Sequence, residues 1–128
     1  MEPELSYAIL GASFEVYNAL GPGYSEAYYQ RALAAVFQEK GIAFKREVLL
    51  PVKFHNQCIG RQRCDFLVGG KVLVEIKKGN TFSRHNIEQV LNYLWASGLK
   101  LAILINVAPQ GILYKRVVNT DSYIRTNS

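Results

Sequence analysis

The sequence has few residues that could cross-link the chain or hold a zinc ion. It contains two cysteines, Cys58 and Cys64, in 128 residues. Both fall on one predicted strand, where six residues span roughly 20 Å. A disulfide needs Cα atoms within about 7 Å, so an internal bridge is not expected. Without a nearby pair of histidines the two cysteines do not make a zinc site either.

Long apolar runs and a recognisable export signal are also lacking. The longest apolar runs are the size of a strand, too short for a membrane span. The first four residues, Met1-Glu2-Pro3-Glu4, carry two acids and do not show the basic-then-apolar order of a signal peptide. We therefore expect a cytoplasmic protein that does not insert into a membrane.

What the sequence does contain is typical of a globular domain. Apolar residues make up 49% and charged residues 20% of the chain, ordinary values for such a protein. The length predicts a single domain, residues 1–128, with a core over about 5–118 and a polar segment over 119–128. A net charge of +5 is compatible with a polyanionic partner but does not select one.

The order of predicted elements indicates an α/β fold. Apolar spacing predicts helices over 5–20, from Tyr24 or Ser25 to Gly41, and from Thr81 or Ser83 to 96. Strand formers cluster at 44–54, 59–68, 101–107 and 112–118, with a turn at Asn56-Gln57. Strand, helix and strand over 73–107 form a right-handed βαβ unit. We expect a mixed sheet of about five strands with helices on both faces.

The most informative stretch is a predicted β-hairpin over 63–77. If its loop is Gly69-Gly70-Lys71, Asp65 lies opposite Glu75, and Glu75 shares a face with Lys77. The other face is then apolar and can be buried; it carries Phe66, Val68, Val72, Val74 and Ile76. A two-residue loop would instead turn Asp65 away from Glu75, because a slip of one residue inverts every side chain.

Two carboxylates that meet on a strand pair repel each other unless positive charge lies between them. Oxygen ligands in this number suit Mg²⁺ or Mn²⁺. Lys77 would then orient the attacking water or favour its deprotonation. The alternative is a solvated Glu75–Lys77 ion pair with Asp65 near it by chance, and the hairpin by itself leaves both interpretations open.

Other polar residues also have two interpretations. Glu26 stands in the first turn of a helix, where an acid interacts well with the helix dipole, or it is a third carboxylate of the site. Arg61 and Arg63 either contact phosphate or discourage pairing at a sheet edge. Gln89 can reach a neighbouring strand or a phosphate, and Tyr93 is expected to pack with its hydroxyl at the rim.

The order of these motifs resembles the PD-(D/E)xK nuclease superfamily and, more closely, the small GxxExxY proteins usually placed in it. The resemblance covers residues 5–118. Each motif is weak alone, and their order makes them specific. They are Gly23-Tyr24-Ser25-Glu26-Ala27-Tyr28-Tyr29, Arg63-Cys64-Asp65, Glu75-Ile76-Lys77, Gln89-Val90-Leu91-Asn92-Tyr93 and Leu104-Ile105-Asn106.

The resemblance implies a restriction-endonuclease-like core and metal-dependent hydrolysis of nucleic acid, with DNA favoured over RNA. The resemblance implies that Asp65 and Glu75 bind Mg²⁺ or Mn²⁺ with the Ile76 carbonyl, and that the catalytic residues are Lys77, Glu26 and Gln89. It implies that the nucleic acid is contacted by Arg61, Arg63 and Lys78. It also implies that Tyr29 and Tyr93 support the site.

The alternative is a module that binds nucleic acid or a partner protein on a nuclease fold without turnover. A relative without activity typically loses the aspartate or the lysine, and Asp65 and Lys77 are both present, which favours an enzyme. A homodimer or a partner protein is compatible with the sequence.

Overall fold

Two helices, three strands, a third helix and two further strands follow one another along residues 1–119, the part of the chain that the computed structural model describes. Of the predicted polar segment 119–128, residues 120–128 therefore lie outside the described part of the chain. No helix of the described part has the length and hydropathy needed to span a membrane. In chain order the elements are α1 Pro3–Leu20, α2 Glu26–Glu39, β1 Phe44–Phe54, β2 Gln57–Val68, β3 Val72–Lys78, α3 Arg84–Ser97, β4 Leu101–Ala108 and β5 Gly111–Val118.

The strands form one mixed sheet in the order β1-β2-β3-β4-β5. β3 and β4 are parallel, and the other neighbours are antiparallel. Parallel strands need a crossover connection, which α3 provides. Every residue of β4 is buried, as expected for a strand covered on both faces. The predicted α/β class and five-stranded mixed sheet are confirmed.

Two apolar clusters cover the two faces of the sheet. α1 and α2 pack on one face around Phe37, Phe66 and Val74. α3 packs on the other face around Leu73, Tyr93 and Leu104. Burial of a large apolar side chain contributes about 1.5–3 kcal/mol to stability, so these clusters fix the sheet between its helices and hold the polar residues at its edge in place.

The β2–β3 hairpin has the register that the three-residue loop predicts. Phe66 pairs with Val74 and Val68 with Val72, so one further step places Asp65 opposite Glu75. The predicted apolar face is buried against α1 and α2. Gly69 has φ of 60°, and a Cβ at this position would lie 2.9 Å from Leu5 Cδ2. The loop therefore needs glycine for its backbone conformation, and a larger residue would also displace the end of the Leu5 side chain.

The β1–β2 hairpin turns one residue earlier than predicted. Its central residues are His55 and Asn56, with φ of 49° and 64°, rather than Asn56 and Gln57. Two successive left-handed residues match the twist of the flanking strands. Because β2 pairs with β3 only over its last residues, this hairpin extends beyond β3. We refer to residues 48–63 as the β1–β2 arm.

Candidate active site

The candidate site lies where β2 separates from β3. The ladder between them ends at the pair Phe66–Val74, and beyond it β3 exposes backbone N–H groups on that side. The Ile76 N–H donates to Asp65 Oδ2 at 2.7 Å, and the Lys78 N–H donates to Glu26 Oε2 at 2.9 Å. Alternate residues of a strand point the same way, so the two amides lie about 6–7 Å apart along one edge.

Asp65 reaches this edge because β2 rotates at that residue. Cys64 packs in the α3 cluster and Phe66 in the opposite cluster, although residues two apart on a regular strand share a face. On the neighbouring strand β1, the matching irregularity is at Glu47. It lies between the paired residues Arg46–Phe66 and Val48–Cys64 and has φ of 52°. The side chain of Asp65 consequently points along the sheet toward β3 and not out of either face.

Glu75 is the buried centre of the site, with 4% of its surface exposed. Its Oε1 accepts the Asp65 N–H at 3.0 Å, and Lys77 Nζ lies 3.4 Å from Oε2. The Tyr93 hydroxyl lies 3.2 Å from Oε2 and 2.8 Å from the Arg63 carbonyl oxygen. Glu75 is therefore tied to β2, β3 and α3 at once. Lys77 keeps 23% of its side chain exposed, so its ammonium can meet a substrate.

The site has more negative than positive charge, since the carboxyl groups of Asp65 and Glu75 face only one cation, the ammonium of Lys77, among the described side chains. Burial, and then the charge of Glu75, raise the pKa of Asp65 to about 7, against the opposing effects of the Ile76 N–H and Lys77. Burial and Glu75 also raise the pKa of the Cys64 thiol and of the Tyr93 hydroxyl. Both groups stay protonated at neutral pH, so neither serves as a base. A cation would relieve the repulsion between the carboxylates.

The carboxylate pair fits a hydrated divalent ion. Within residues 1–119, no group of three or more His, Cys, Asp or Glu side chains is placed to hold a metal. Mg²⁺ does not require three protein side chains as ligands, because it keeps several waters and is often held by one or two carboxylates plus phosphate. The Ile76 carbonyl points to the same side of β3 as the Ile76 N–H. Asp65, Glu75 and this carbonyl suit Mg²⁺ or Mn²⁺ better than zinc.

Glu26 is held at the edge of β3 by the turn before α2. The Tyr29 hydroxyl donates to the Gly21 carbonyl at 2.6 Å and accepts the Tyr24 N–H at 3.3 Å. This contact fixes the turn and the first residue of α2, which is Glu26. The Glu26 carboxylate binds the Lys78 amide, so it does more than interact with the dipole of its own helix. Tyr29 supports the site through this turn.

Gln89 lies one helical turn before Tyr93 on α3, half buried, and residues four apart share a helix face. Its Oε1 is buried and accepts no hydrogen bond from the described residues. A buried acceptor without a donor costs about 1–3 kcal/mol. A water or a substrate group would satisfy it.

Asn106 belongs to one of the sequence motifs, but sequence reasoning assigned it no role in this region. It is fully buried and lies beside Lys77 in the parallel ladder between β3 and β4. Its amide nitrogen donates to the Thr81 carbonyl at 2.5 Å, while its Oδ1 has no partner among the described residues. The available signal was an amide within the apolar run 101–107. Asn106 anchors the loop between β3 and α3 next to the lysine.

The predicted nucleic-acid contacts are not all brought to this edge. Gln62 pairs with Leu50, which packs against α3, so by alternation Arg61 and Arg63 project from the opposite face of the arm. The Arg63 guanidinium lies 3.6 Å from Glu47. Lys78 is exposed just past Lys77. Contact between these three side chains and nucleic acid remains a prediction.

Tyr93→Phe is expected to lower the free energy of unfolding by about 1–2 kcal/mol, because it leaves the Arg63 carbonyl and Glu75 without the hydroxyl. Urea denaturation at constant m-value measures the change. Tyr7→Phe is the matched control, since Tyr7 is 81% exposed and should lose nothing measurable. Equal stability of both variants would contradict a structural role for the Tyr93 hydroxyl.

Comparisons with known proteins identify the family and the fold. Residues 3–117 match the family model described as the PD-(D/E)XK nuclease superfamily. The structure of an alkaline exonuclease from Laribacter hongkongensis is similar, with a TM-score of 0.54, 18% identity, and coverage of 96% of this chain and 85% of that one. Its complex with dAMP gives a TM-score of 0.54 at 19% identity and the same coverage, 96% and 85%. The structure of SSO0001 gives a TM-score of 0.50 at 15% identity, covering 88% and 76%. No curated protein sequence matches the chain.

Proposed function

We propose, because this chain belongs to the PD-(D/E)XK nuclease superfamily, that it hydrolyses phosphodiester bonds of nucleic acid with the aid of Mg²⁺ or Mn²⁺. The observation that carries the proposal is the constellation at the open edge of β3. Asp65 and Glu75 face each other there, and the Lys77 ammonium lies 3.4 Å from Glu75. The proposal also places this protein in the narrower GxxExxY group of the superfamily.

In this proposal each residue has a separate task. A bound divalent ion would add positive charge against the phosphate and lower the pKa of a water molecule. Asp65 and Glu75 hold that ion through their free oxygen lone pairs. Lys77 orients the attacking water and offsets charge that develops on the phosphate oxygens.

The neighbouring residues complete the site around these three. Glu26, fixed on the Lys78 amide, accepts a proton from water at the other end of the edge. The Gln89 Oε1, which lacks a donor among the described residues, would receive a hydrogen bond from a water or a substrate group on the α3 side of the sheet.

DNA is the proposed substrate, in preference to RNA. One similar structure is that of an alkaline exonuclease in complex with dAMP, which supports a nucleic-acid substrate for the shared fold. The net charge of +5 favours association with a polyanion. Arg61, Arg63 and Lys78 are the proposed contacts to the phosphate backbone.

Metal removal is the direct test of this function. We expect no cleavage of labelled single-stranded, duplex or branched DNA in EDTA, and cleavage after Mg²⁺ or Mn²⁺ is added. Calorimetry without DNA should show binding of the metal to the same protein. Matched RNA substrates, assayed in parallel, test the preference for DNA.

Two outcomes would contradict the proposal. Cleavage that persists in EDTA would remove the metal from the mechanism. Metal and nucleic-acid binding without cleavage of any substrate would favour a binding module on a nuclease fold.

A further inference from the structure

A groove of about 550 Å³ lies between the β1–β2 arm and the last turns of α3. The arm packs against α3 through Leu50, and the groove begins at the next residues of the arm, Pro51 and Val52. Lys53 and Gln62 line the groove from the arm, and Asn92 and Trp95 line it from α3. The volume is within the range of small-molecule sites.

The groove adjoins the candidate active site. Gln62 precedes Arg63, whose carbonyl receives the Tyr93 hydroxyl at 2.8 Å, and Asn92 precedes Tyr93 on α3. Consecutive Cα atoms are about 3.8 Å apart. The groove therefore lies beside the hydrogen bond that ties Tyr93 to β2, next to the Glu75 site.

The lining has the chemistry of a nucleotide site. An indole ring offers a stacking surface, and the amides of Gln62 and Asn92 can donate to and accept from the edge of a base. Lys53 supplies a positive charge for a phosphate. The arm contains no Asp or Glu and three basic residues, Lys53, Arg61 and Arg63, so it favours an anionic ligand.

A base inside a duplex cannot occupy such a groove, because both its faces are stacked and its pairing edge is occupied. We propose that the groove binds an unpaired nucleotide of the substrate strand, with its base on Trp95 and its edge on Gln62 and Asn92. The strand would thus reach the carboxylates as a single strand. This inference rests on the proposed nuclease function and names the form of nucleic acid that the site accepts.

Trp95 is the only tryptophan of the chain, so its fluorescence reports on the groove without cleavage. In EDTA we expect a 10-nucleotide single strand, or a hairpin with a single-stranded overhang, to quench the emission. A blunt hairpin of the same total length should not. Oligo-dT and oligo-U of equal length distinguish a DNA strand from an RNA strand.

The double variant Gln62→Ala/Asn92→Ala should weaken single-strand binding about tenfold, and Lys53→Ala should weaken it severalfold. Gln38→Ala is the control, because Gln38 is exposed on α2. Equal quenching by the blunt hairpin, or unchanged affinity in the double variant, would overturn the inference even if metal-dependent cleavage is observed. Single-strand quenching in a protein that cleaves nothing would support the groove and contradict the nuclease proposal.

Discussion

Lys77→Ala is expected to lower the rate of phosphodiester cleavage about a thousandfold while metal binding is retained. The variant loses the ammonium that orients water and offsets charge on phosphate, and losing one such group typically costs a factor of 10²–10³. The same change removes a positive charge 3.4 Å from Glu75 Oε2. A divalent ion should therefore bind at least as tightly as in the wild type.

Single-turnover cleavage and Mn²⁺ calorimetry on one preparation separate these two effects. Glu75 loses its nearby cation in the variant, so circular dichroism at the assay temperature must first show that the protein is folded. Lys115→Ala is the matched control, because Lys115 is exposed on β5 at the far edge of the sheet. Cleavage by Lys77→Ala at the normal rate would exclude the proposed mechanism.

Asp65→Asn is expected to abolish metal binding and cleavage and yet to stabilise the metal-free protein at pH 8. The amide oxygen can still accept the Ile76 N–H, now 2.7 Å from Asp65 Oδ2, and the amide nitrogen can donate to Glu75. A buried negative charge is replaced by a donor, so repulsion disappears. The ion loses one of its two carboxylates, and the affinity for it should fall beyond detection by calorimetry.

The gain in stability should depend on pH in a defined direction. The pKa of Asp65 is about 7 in the folded protein, against an ordinary value of 3.8 for an exposed aspartate such as that of the unfolded chain. Between these values the folded state holds a proton that the unfolded state has lost, so wild-type stability falls as pH rises from about 4 to 7. The asparagine of the variant does not titrate. The difference in melting temperature between variant and wild type should grow across this window and be largest above pH 7.

Thermal melts in EDTA at pH 5, 6, 7 and 8 measure this trend. Glu15→Gln removes one carboxylate from an exposed pair with Lys40 and serves as the control for net charge. A pH-independent difference for Asp65→Asn would show that burial and Glu75 do not raise the pKa of Asp65. Metal binding that survives the substitution would remove Asp65 from the ligand set.

Local pattern was sufficient wherever one strong preference decided the structure. The glycines of Gly69-Gly70-Lys71 indicated the position of the loop in the β2–β3 hairpin, and the apolar alternation from Phe66 to Ile76 indicated which face is buried. Ser83, one of two predicted caps, accepts the Asn86 N–H at 3.0 Å. The turn of the β1–β2 hairpin was misplaced by one residue because His55 and Asn56 both adopt a left-handed conformation, and His55 gives little local signal for it.

The role of Glu26 shows where local reasoning ends. Its first-turn position accounts for an acid by the helix dipole alone, and no local pattern shows that its carboxylate meets an amide of β3, 52 residues later in the chain. The same is true of the contact between Tyr93 and Glu75. These contacts depend on how α2 and α3 pack on opposite faces of the sheet.

The sequence by itself determined the mixed α/β sheet and the common face of Glu75 and Lys77, and it limited the hairpin to two registers, one of which opposes Asp65 to Glu75. These features follow from the period of the strand and the conformational freedom of glycine, both of which act over a few residues. Only the tertiary structure decided that β2 rotates at Asp65 and leaves β3, that Arg61 and Arg63 face away from α3, and that a groove beside Trp95 adjoins the site. Those features depend on which side chains α3 and the arm bury together, and packing between distant segments is not encoded in any local pattern.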